Sequence, residues 1–555
     1  MKLKKICAVT LSVVMVFTSL AACGSSNTPN NSNIGSQSSG QQATPVSTED
    51  LEHPETWKNF TDPIEFTWYI HASWFTRRWG TSLTSQYITD KTGVSIDFIA
   101  PAGNEAERLN TMIIGNTFPD IISLGWYEPQ VPQIYEAELV YALEELAEQY
   151  DPYFFQVASP EKLGWYRQAD GNVYGYPNAS YTLSDFEKYA DTMSSNQTFL
   201  VKKDIYEAIG SPDMSTPEGF LGALEKAKEQ FPTVNGQPLI PLGLQNFHDT
   251  GNDSIDVLLM NYLAIPQEDE NGNLHDRFMD SEFRDWVKVL RQANEDGLIA
   301  RDVFIDGRPQ IEEKVAQGRY FAMMYQAQDM IAQNTSLYAN DPDSVYIAVR
   351  GPGHSNGADP ELSGGGISGW MLTMISKNCK DPARAIQFLS YLISEEGQHD
   401  VKLGAPSMWH TVDGKDQLTP EMEALNNSDK DKFEVEYGAD STYWMLMDNA
   451  MQEQWASEVA QPLRQTREWT QPYVVYNATY DGVDALEPGS PEEINNSRVS
   501  LEWGRLLPQM LMADSEAEVD ELFEKLVEAR EKNNWDRIWE LRNEKLKENK
   551  AKLGL

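Results

Sequence analysis

Short apolar runs alternate with amphipathic segments near the start of the folded chain. Residues 64–69, 94–99 and 121–124 have the length and composition of strands, whereas 83–91 and 105–114 carry apolar residues at helical spacing. Strands that alternate with helices in this way are typical of a parallel sheet with helices packed on its faces. The pattern therefore predicts an α/β fold.

The same alternation continues along most of the chain. After a last strand, a capping pattern at Ser515 and Glu518 opens a charged helix, and a further helix begins near Trp535. We expect these last helices to cover a surface, because their apolar seam is short. The other predicted strands are 199–201, 320–325, 345–349 and 370–375, and the other predicted helices are 203–209, 217–230, 283–294, 311–317 and 382–393.

The N-terminus has the layout of a secretory signal peptide. Lysines precede an apolar run at 6–17, which is shorter than the ~20 residues that span a bilayer. The sequence LAAC at 20–23 then resembles the bacterial lipobox, in which the cysteine receives lipid. We therefore expect 1–22 to be a lipoprotein signal peptide and Cys23 to be the lipidation site. The Ser-, Asn- and Gln-rich segment 23–56 is expected to be a flexible tether.

Composition narrows the classes of partner. The 555 residues are too many for one core, so at least two domains are expected. The net charge of −41 argues against nucleic acid and against docking on anionic lipid. Of three cysteines, only Cys379 remains after the signal peptide and Cys23 are set aside, and we interpret it as a structural thiol. The sequence indicates no cofactor and no metal site.

Ten segments between residues 60 and 410, in this order, resemble the extracellular solute-binding proteins (family 1) of carbohydrate ABC importers. The resemblance is greatest to the large lipoprotein members of Gram-positive bacteria, and it is loose in the last third of the chain. The segments are YITDKTGV (87–94), LNTMI (109–113), FPDII (118–122), DGNVYGYP (170–177), VKKD (201–204), TPE (216–218), QGRYFAMM (317–324), ISKN (375–378), DPARA (381–385) and SEEG (394–397).

This resemblance implies a two-lobe, periplasmic-binding-protein-like fold (type II) with a hinge and a ligand cleft. Lobe 1 would comprise 57–180 and 345–378, and lobe 2 would comprise 181–344 and 379–555 with extra C-terminal helices. The implied protein is a monomer on the outer face of the cell membrane. It would capture an oligosaccharide and deliver it to ABC transporter permease subunits, without being an enzyme.

Candidate binding residues combine aromatic rings, for the apolar faces of sugars, with polar side chains for their hydroxyl groups. Ligands of open α/β sheets meet the carboxyl ends of strands, so we favour residues just after predicted strands or at the lobe crossings. We expect Trp126 and Trp370 to be stacking platforms, with Glu128, Asn178 and Gln326 as hydroxyl partners. The full candidate set is Trp68, His71, Trp74, Trp126, Glu128, Asn178, Tyr181, His248, Tyr325, Gln326, Trp370 and Trp409.

Two other functions remain open from the residues alone. A peptide or another solute could occupy the same fold, because fold does not fix the ligand. A glycoside hydrolase needs two positioned carboxylates, and a chain with 85 acidic residues always offers pairs. The GHSNG sequence at 353–357 matches the serine-hydrolase pattern, but we interpret its surroundings as a loop. The DENGN sequence at 269–273 is interpreted as a hairpin turn and not as a calcium loop.

Overall fold

The structure is a computed structural model that describes residues 51–555 except 74, 191, 440–445, 457–460 and 488. Its first part follows the predicted alternation of strands and helices closely. The elements are β1 (Ile64–Ile70), α1 (Leu83–Thr92), β2 (Val94–Ile99), α2 (Glu105–Gly115), β3 (Ile121–Gly125), α3 (Val131–Glu136), α4 (Leu143–Tyr150), α5 (Phe154–Val157), α6 (Pro160–Tyr166) and β4 (Tyr176–Pro177).

The middle of the chain adds longer helices around further strands. Thr216 accepts a hydrogen bond from the amide of Gly219, and Pro217 occupies the first turn. The helix Pro217–Gln230 therefore begins where the sequence predicts. The elements are α7 (Leu183–Tyr189), β5 (Gln197–Lys202), α8 (Lys203–Ala208), α9 (Pro217–Gln230), β6 (Thr233–Val234), β7 (Gln237–Pro238), β8 (Ile240–Gly243), α10 (Met260–Tyr262), α11 (Ser281–Glu295), α12 (Arg308–Ala316), β9 (Tyr320–Gln326), α13 (Ile331–Asn340) and β10 (Tyr346–Ala348).

The last part is mostly helical. Ser515 accepts a hydrogen bond from the amide of Glu518, as the predicted helix start requires. The elements are β11 (Leu362–Ser363), β12 (Met371–Ile375), α14 (Pro382–Ile393), α15 (Glu395–Leu403), β13 (Trp409–Val412), β14 (Lys415–Leu418), α16 (Pro420–Ser428), α17 (Lys430–Glu436), α18 (Asn449–Gln452), α19 (Leu463–Thr470), β15 (Val474–Val475), α20 (Pro491–Leu511), α21 (Glu516–Lys532) and α22 (Trp535–Leu553).

Two larger sheets define two lobes, which confirms the α/β class. The sheet of lobe 1 has the order β2-β1-β3-β12-β4, and the sheet of lobe 2 has the order β10-β5-β9-β8. Within lobe 1, β1 is parallel to β2 and β3, whereas β12 runs antiparallel to β3 and β4. The sheet is therefore mixed, because β12 returns to it from the other lobe in the opposite direction.

The lobe boundaries differ from those expected from the sequence. Tyr346 and Ala348 of β10 belong to the lobe 2 core, whereas the resemblance implies that 345–378 lies in lobe 1. Conversely, α14 packs in the lobe 1 core through Ile386, Phe388 and Leu389, whereas the resemblance implies that 379–555 lies in lobe 2. The apolar face of α14 determines where the helix packs. The spacing of apolar residues in the sequence predicts that such a face exists, but it does not show which of the two sheets the face will cover.

The C-terminal helices touch both lobes. Leu506 of α20 and Phe523 of α21 are buried in the lobe 2 core. At the end of α22, Lys552 donates a hydrogen bond to the carbonyl of Trp165 in lobe 1 at 2.8 Å. In the part of the chain that the structure describes, no helix combines the length and the apolarity that are needed to cross a membrane.

The local backbone shows the conformation of two segments that the sequence singles out. Residues 353–357 lie in the loop between β10 and β11, so the strand-to-helix turn of a nucleophilic serine is not formed. The carboxylate of Asp269 accepts hydrogen bonds from the amides of Asn271 and Asn273, which closes the predicted turn. Within the described residues, no group of three or more His, Cys, Asp or Glu side chains is placed to hold a metal ion.

Candidate ligand-binding site

A cavity of about 880 Å³ opens beside the carboxyl end of β3. Four parts of the chain form its wall: residues 126–135 after β3, Tyr166 and Gln168 at the end of α6, Leu372 of β12, and residues of the segments 480–486 and 489–496 before and at the start of α20. Its volume lies in the upper part of the range usual for ligand pockets. The cavity, which we call the main cavity, is therefore large enough to hold a small-molecule ligand.

Five aromatic side chains contribute to the wall of the main cavity. Trp126 is half-buried and Tyr127 is 58% exposed, and their rings meet edge to face at 5.9 Å. Tyr135, Tyr166 and Tyr480 line the same space. Such rings present apolar faces at small entropic cost, and sugars present apolar C–H faces that can pack against them.

The backbone holds Trp126 in place. Its amide donates to the carbonyl of Trp370 at 3.3 Å, and its indole Nε1 donates to the carbonyl of Gly369 at 3.1 Å. Gly482 also lies next to the indole, since a Cβ at this position would be 3.4 Å from the ring. The indole is thus oriented by the crossing strand and faces residues 480–486.

The polar groups of the wall are acidic or neutral. Carboxylates come from Glu128, Asp484 and Glu493, and amides come from Gln168 and Asn496, whereas the described residues contribute no Lys or Arg to the wall. Carboxylate and amide groups can accept hydrogen bonds from hydroxyl groups. The wall therefore suits a polar ligand that is neutral or positively charged.

An arginine behind the wall orients two of these groups. Arg542 of α22 forms an ion pair with Asp484 at 3.2 Å and donates to the side-chain oxygen of Asn496 at 2.8 Å. The side-chain oxygen of Glu493 accepts a hydrogen bond from Ser497 at 3.0 Å. The polar side of the cavity is thus held partly by the C-terminal helix.

The candidate binding residues that follow β1 and β3 differ in their position relative to the main cavity. Glu128 lines the cavity, and His71 lies beside it with Nε2 at 3.9 Å from the Glu128 carboxylate. Burial lowers the pKa of His71, and its Nδ1 is hydrogen-bonded to the hydroxyl of Tyr69 at 2.9 Å. Trp68 is completely buried and donates to the hydroxyl of Ser123, which places it in the core and not in a site.

The candidates at the crossing build the connection between the lobes. The side chain of Asn178 is buried and accepts a hydrogen bond from the amide of Met371 at 2.7 Å. Trp370 is half-buried and donates its amide to the carbonyl of Asn178. The ring of Tyr181 packs edge to face on Phe186, and burial raises its pKa to about 12. None of the three predicted residues lines the main cavity.

The remaining candidates also lie elsewhere. Tyr325 is 4% exposed and sits in the lobe 2 core, and the side chain of Gln326 accepts a hydrogen bond from Asn196 at 3.2 Å. His248 is exposed and contacts the Thr250 hydroxyl, and Trp409 packs edge to face on a histidine. Trp74 and Cys23 lie outside the described residues.

Sequence reasoning missed most of the wall. Tyr135 and Tyr166 lie on helices, where an aromatic residue predicts core packing. Tyr480, Asp484 and Glu493 come from the C-terminal third, in which the resemblance to known proteins is loose. The glycines and acidic residues of 481–493 indicate a loop before a helix, and that was the one available signal.

The comparison with known families identifies the class of the protein. Residues 84–402 match the family of bacterial extracellular solute-binding proteins, and the chain belongs to that family. No curated protein matches the chain.

Similar solved structures share the fold at low sequence identity. The S. pneumoniae ABC-transporter substrate-binding protein FusA, in complex with kestose, is 16% identical with a TM-score of 0.63, covering 88% of this chain and 100% of its own. An HMO-binding, ABC-transporter-associated solute-binding protein from Bifidobacterium longum infantis is 14% identical with a TM-score of 0.63, covering 87% and 99%. The alginate-binding protein AlgQ2 without calcium ion is 16% identical with a TM-score of 0.60, covering 88% and 99%. These similarities and the family match confirm the two-lobe fold of a solute-binding protein.

Proposed function

We propose that the protein captures an oligosaccharide in the main cavity and delivers it to the permease of an ABC transporter. The observation that carries this proposal is the combination of Trp126 and four tyrosines with carboxylate and amide groups around about 880 Å³. This combination suits a ligand with apolar faces and many hydroxyl groups. The sugars named for FusA and AlgQ2, and the HMO named for the B. longum protein, support the same ligand class.

Binding without chemistry is the simplest role for this wall. Hydrolysis of a glycoside would need two carboxyl groups on opposite sides of one bond, one of which acts as an acid with a raised pKa. The main cavity offers carboxylates, but Asp484 is engaged by Arg542 in an ion pair. We therefore propose capture and release of an intact sugar by a monomer, and peptide binding is the alternative that the test must separate.

A thermal-shift screen tests this function. The panel contains plant, host and microbial oligosaccharides together with peptides of similar size. A ligand at 100 times its dissociation constant stabilises the folded state by ~2.7 kcal/mol, which gives a measurable shift. A shift with one glycan class, and recovery of that glycan uncleaved, supports the proposal. A response to peptides alone, or recovery of a cleaved glycan, contradicts it.

We further propose that Cys23 carries the lipid that holds the protein on the outer face of the cell membrane. The support is the LAAC sequence after a short apolar run. More than one acyl chain is needed for stable attachment. Metabolic labelling with an alkyne fatty acid should mark the wild-type protein and not Cys23→Ala. Equal labelling of the two proteins, or equal retention of both in the membrane fraction, would exclude Cys23 as the attachment point.

A further inference from the structure

A second cavity, of about 310 Å³, lies among the C-terminal helices and lobe 2. Its wall includes residues 274–278 of lobe 2 together with side chains of α20, α21 and α22. Val483 and Asp484 line both this second cavity and the main cavity, so the two spaces share one segment of wall. The proposed oligosaccharide function makes no use of it.

Three arginines face the second cavity: Arg277, Arg530 and Arg542. Two of them have a carboxylate partner. Arg530 pairs with Asp276 at 2.6 Å, and Arg542 pairs with Asp484 at 3.2 Å.

The third arginine, Arg277, differs from Arg530 and Arg542 in its surroundings. Among the described residues no carboxylate oxygen lies within 4.0 Å of its guanidinium, and its one side-chain hydrogen bond is to the oxygen of Asn261 at 2.8 Å. Like the Nε atoms of Arg530 and Arg542, its Nε is buried without a hydrogen-bond partner among the described residues, so the missing carboxylate is what sets Arg277 apart. Burial lowers the pKa of Arg277 to about 10, although Asp280 and Glu361 act on it from a longer distance. The positive charge of Arg277 is therefore poorly compensated within the protein.

The other titratable groups of the wall do not supply the missing charge. Asp256 is buried, and burial raises its pKa to about 7, so near neutral pH it is only partly ionised. It accepts a hydrogen bond from the indole of Trp503 at 3.0 Å. His275 is held by Asp280 at 2.8 Å. The wall thus combines an unpaired guanidinium with aromatic side chains, among them Trp535 and Trp539.

An anion that pairs with Arg277 would stabilise this arrangement. A partly buried cation whose charge no carboxylate neutralises destabilises the fold, and a guanidinium pairs best with a planar carboxylate through two parallel hydrogen bonds. The volume exceeds the lower end of the range for small-molecule pockets, and a bare inorganic ion would leave most of it empty. We propose that the second cavity binds a small organic carboxylate whose carboxylate group pairs with Arg277.

A titration with matched probes tests the proposal. Sodium glucuronate is the carboxylate probe, glucose is its uncharged counterpart, and sodium sulfate is an oxyanion without a carboxylate. Calorimetry and thermal unfolding of the purified protein are expected to show saturable binding of glucuronate and none of glucose at the same concentration. The absence of saturable glucuronate binding up to ~10 mM, about −2.7 kcal/mol, would overturn the proposal. Binding of sulfate without binding of glucuronate would overturn the carboxylate assignment.

Substitutions locate the site. Arg277→Gln should weaken glucuronate binding at least about tenfold, because it removes a charged hydrogen-bonding partner. Arg505→Gln is the matched control, since Arg505 is exposed on α20 and pairs with Glu502 of the same helix. If Arg277→Gln leaves glucuronate binding unchanged, glucuronate binds elsewhere, for example in the main cavity. That result would contradict the proposal.

Stability without ligand gives a second readout. If Arg277 serves to bind an anion, its charge is uncompensated in the ligand-free protein. Arg277→Gln then removes that charge and should leave the unfolding temperature unchanged or raise it. A purely structural arginine would give a clear decrease, which counts against the proposal. Should Arg277→Gln not fold, Arg277→Lys keeps the charge but not the planar guanidinium, and it should weaken glucuronate binding several-fold. Failure of the oligosaccharide function would leave these outcomes unaffected.

Discussion

The indole of Trp126 donates a hydrogen bond to the carbonyl of Gly369, 3.1 Å away. Gly369 has a φ of +66°, and a Cβ at this position would collide with the carbonyl of Asn178. The turn before β12 therefore requires glycine, and its carbonyl fixes the orientation of the ring that lines the main cavity. A ring held in this way before a ligand arrives loses little freedom on binding, which favours affinity.

Residues 479–481 depend on one buried side chain of α22. Asn549 is 1% exposed and donates to the carbonyls of Thr479 and Asp481, each at 2.9 Å. Asn549→Ala leaves both carbonyls without this partner, so we expect it to lower the free energy of unfolding by ~2–3 kcal/mol and to weaken oligosaccharide binding. Chemical denaturation and calorimetry measure the two effects.

Asn533→Ala is the control for this prediction. Asn533 also donates to a carbonyl, that of Ala529 at 2.7 Å, but it does so at the end of its own helix and away from the cavity wall. We expect a loss of less than ~1 kcal/mol and unchanged binding. Equal effects of the two substitutions would show that Asn549 has no special role in positioning the wall.

The acidic wall of the main cavity should select ligands by charge. Glu128 and Glu493 face the cavity, and no Lys or Arg lies among the described residues of its wall, whereas Asp484 is paired with Arg542 behind the wall. A carboxylate on the ligand would therefore be repelled by Glu128 and Glu493. We expect an oligosaccharide with one uronic acid to bind about tenfold more weakly than its uncharged counterpart, a difference of ~1–2 kcal/mol. Glu128→Gln with Glu493→Gln should reduce that difference. Calorimetric titration of both ligands measures it, and tighter binding of the acidic ligand by the wild type would refute the charge argument.

Asp256 should make stability depend on pH. Burial raises its pKa from 3.8 to about 7 in the folded protein, so the folded state keeps a proton that the unfolded state loses above pH ~4. The free energy of unfolding should therefore fall as pH rises from ~4 to ~7, by at most ~4 kcal/mol from this group. Asp256→Asn should remove this contribution, so the variant gains stability relative to the wild type across that interval.

Asp285→Asn is the matched control for the pH experiment. The side chain of Asp285 is 73% exposed, and Asp285 is not among the groups that shift the pKa of Asp256. Urea denaturation at several pH values compares the three proteins. If the difference between wild type and Asp256→Asn does not change between pH 4 and pH 7, the buried carboxyl does not hold a proton in the folded state. Asp151, whose pKa burial raises to about 6, contributes with the same sign to all three proteins.

Much of the secondary structure could be predicted from local patterns. The helix 382–393 has the bounds that were expected, because Pro382 starts it and Asp381 caps the amide of Arg384. The strand 320–325 differs from β9 by a single residue at its end. Turn residues, caps and apolar periodicity are properties of neighbouring residues, so one sequence is enough to detect them.

The cavity could be predicted only in part. Trp126 and Glu128 follow β3, and the rule that ligands meet strand ends points to them. Gly482 lies against the indole of Trp126 although the two residues are far apart in the sequence, and no local pattern encodes that contact. Trp68 is predicted to bind ligand but lies in the core. A tryptophan in a strand gives the same sequence pattern whether its side chain faces a ligand or the core.

The most direct measurement of the central claim is a calorimetric titration of wild type, Trp126→Ala and Trp409→Ala with the oligosaccharide that stabilises the protein in the screen. Trp409 is a half-buried tryptophan outside the wall of the main cavity, so it controls for the loss of an indole. We predict that Trp126→Ala weakens binding by ~1–3 kcal/mol and that Trp409→Ala leaves it unchanged. Wild-type affinity in a folded Trp126→Ala protein would contradict the account, because the ligand would then bind elsewhere.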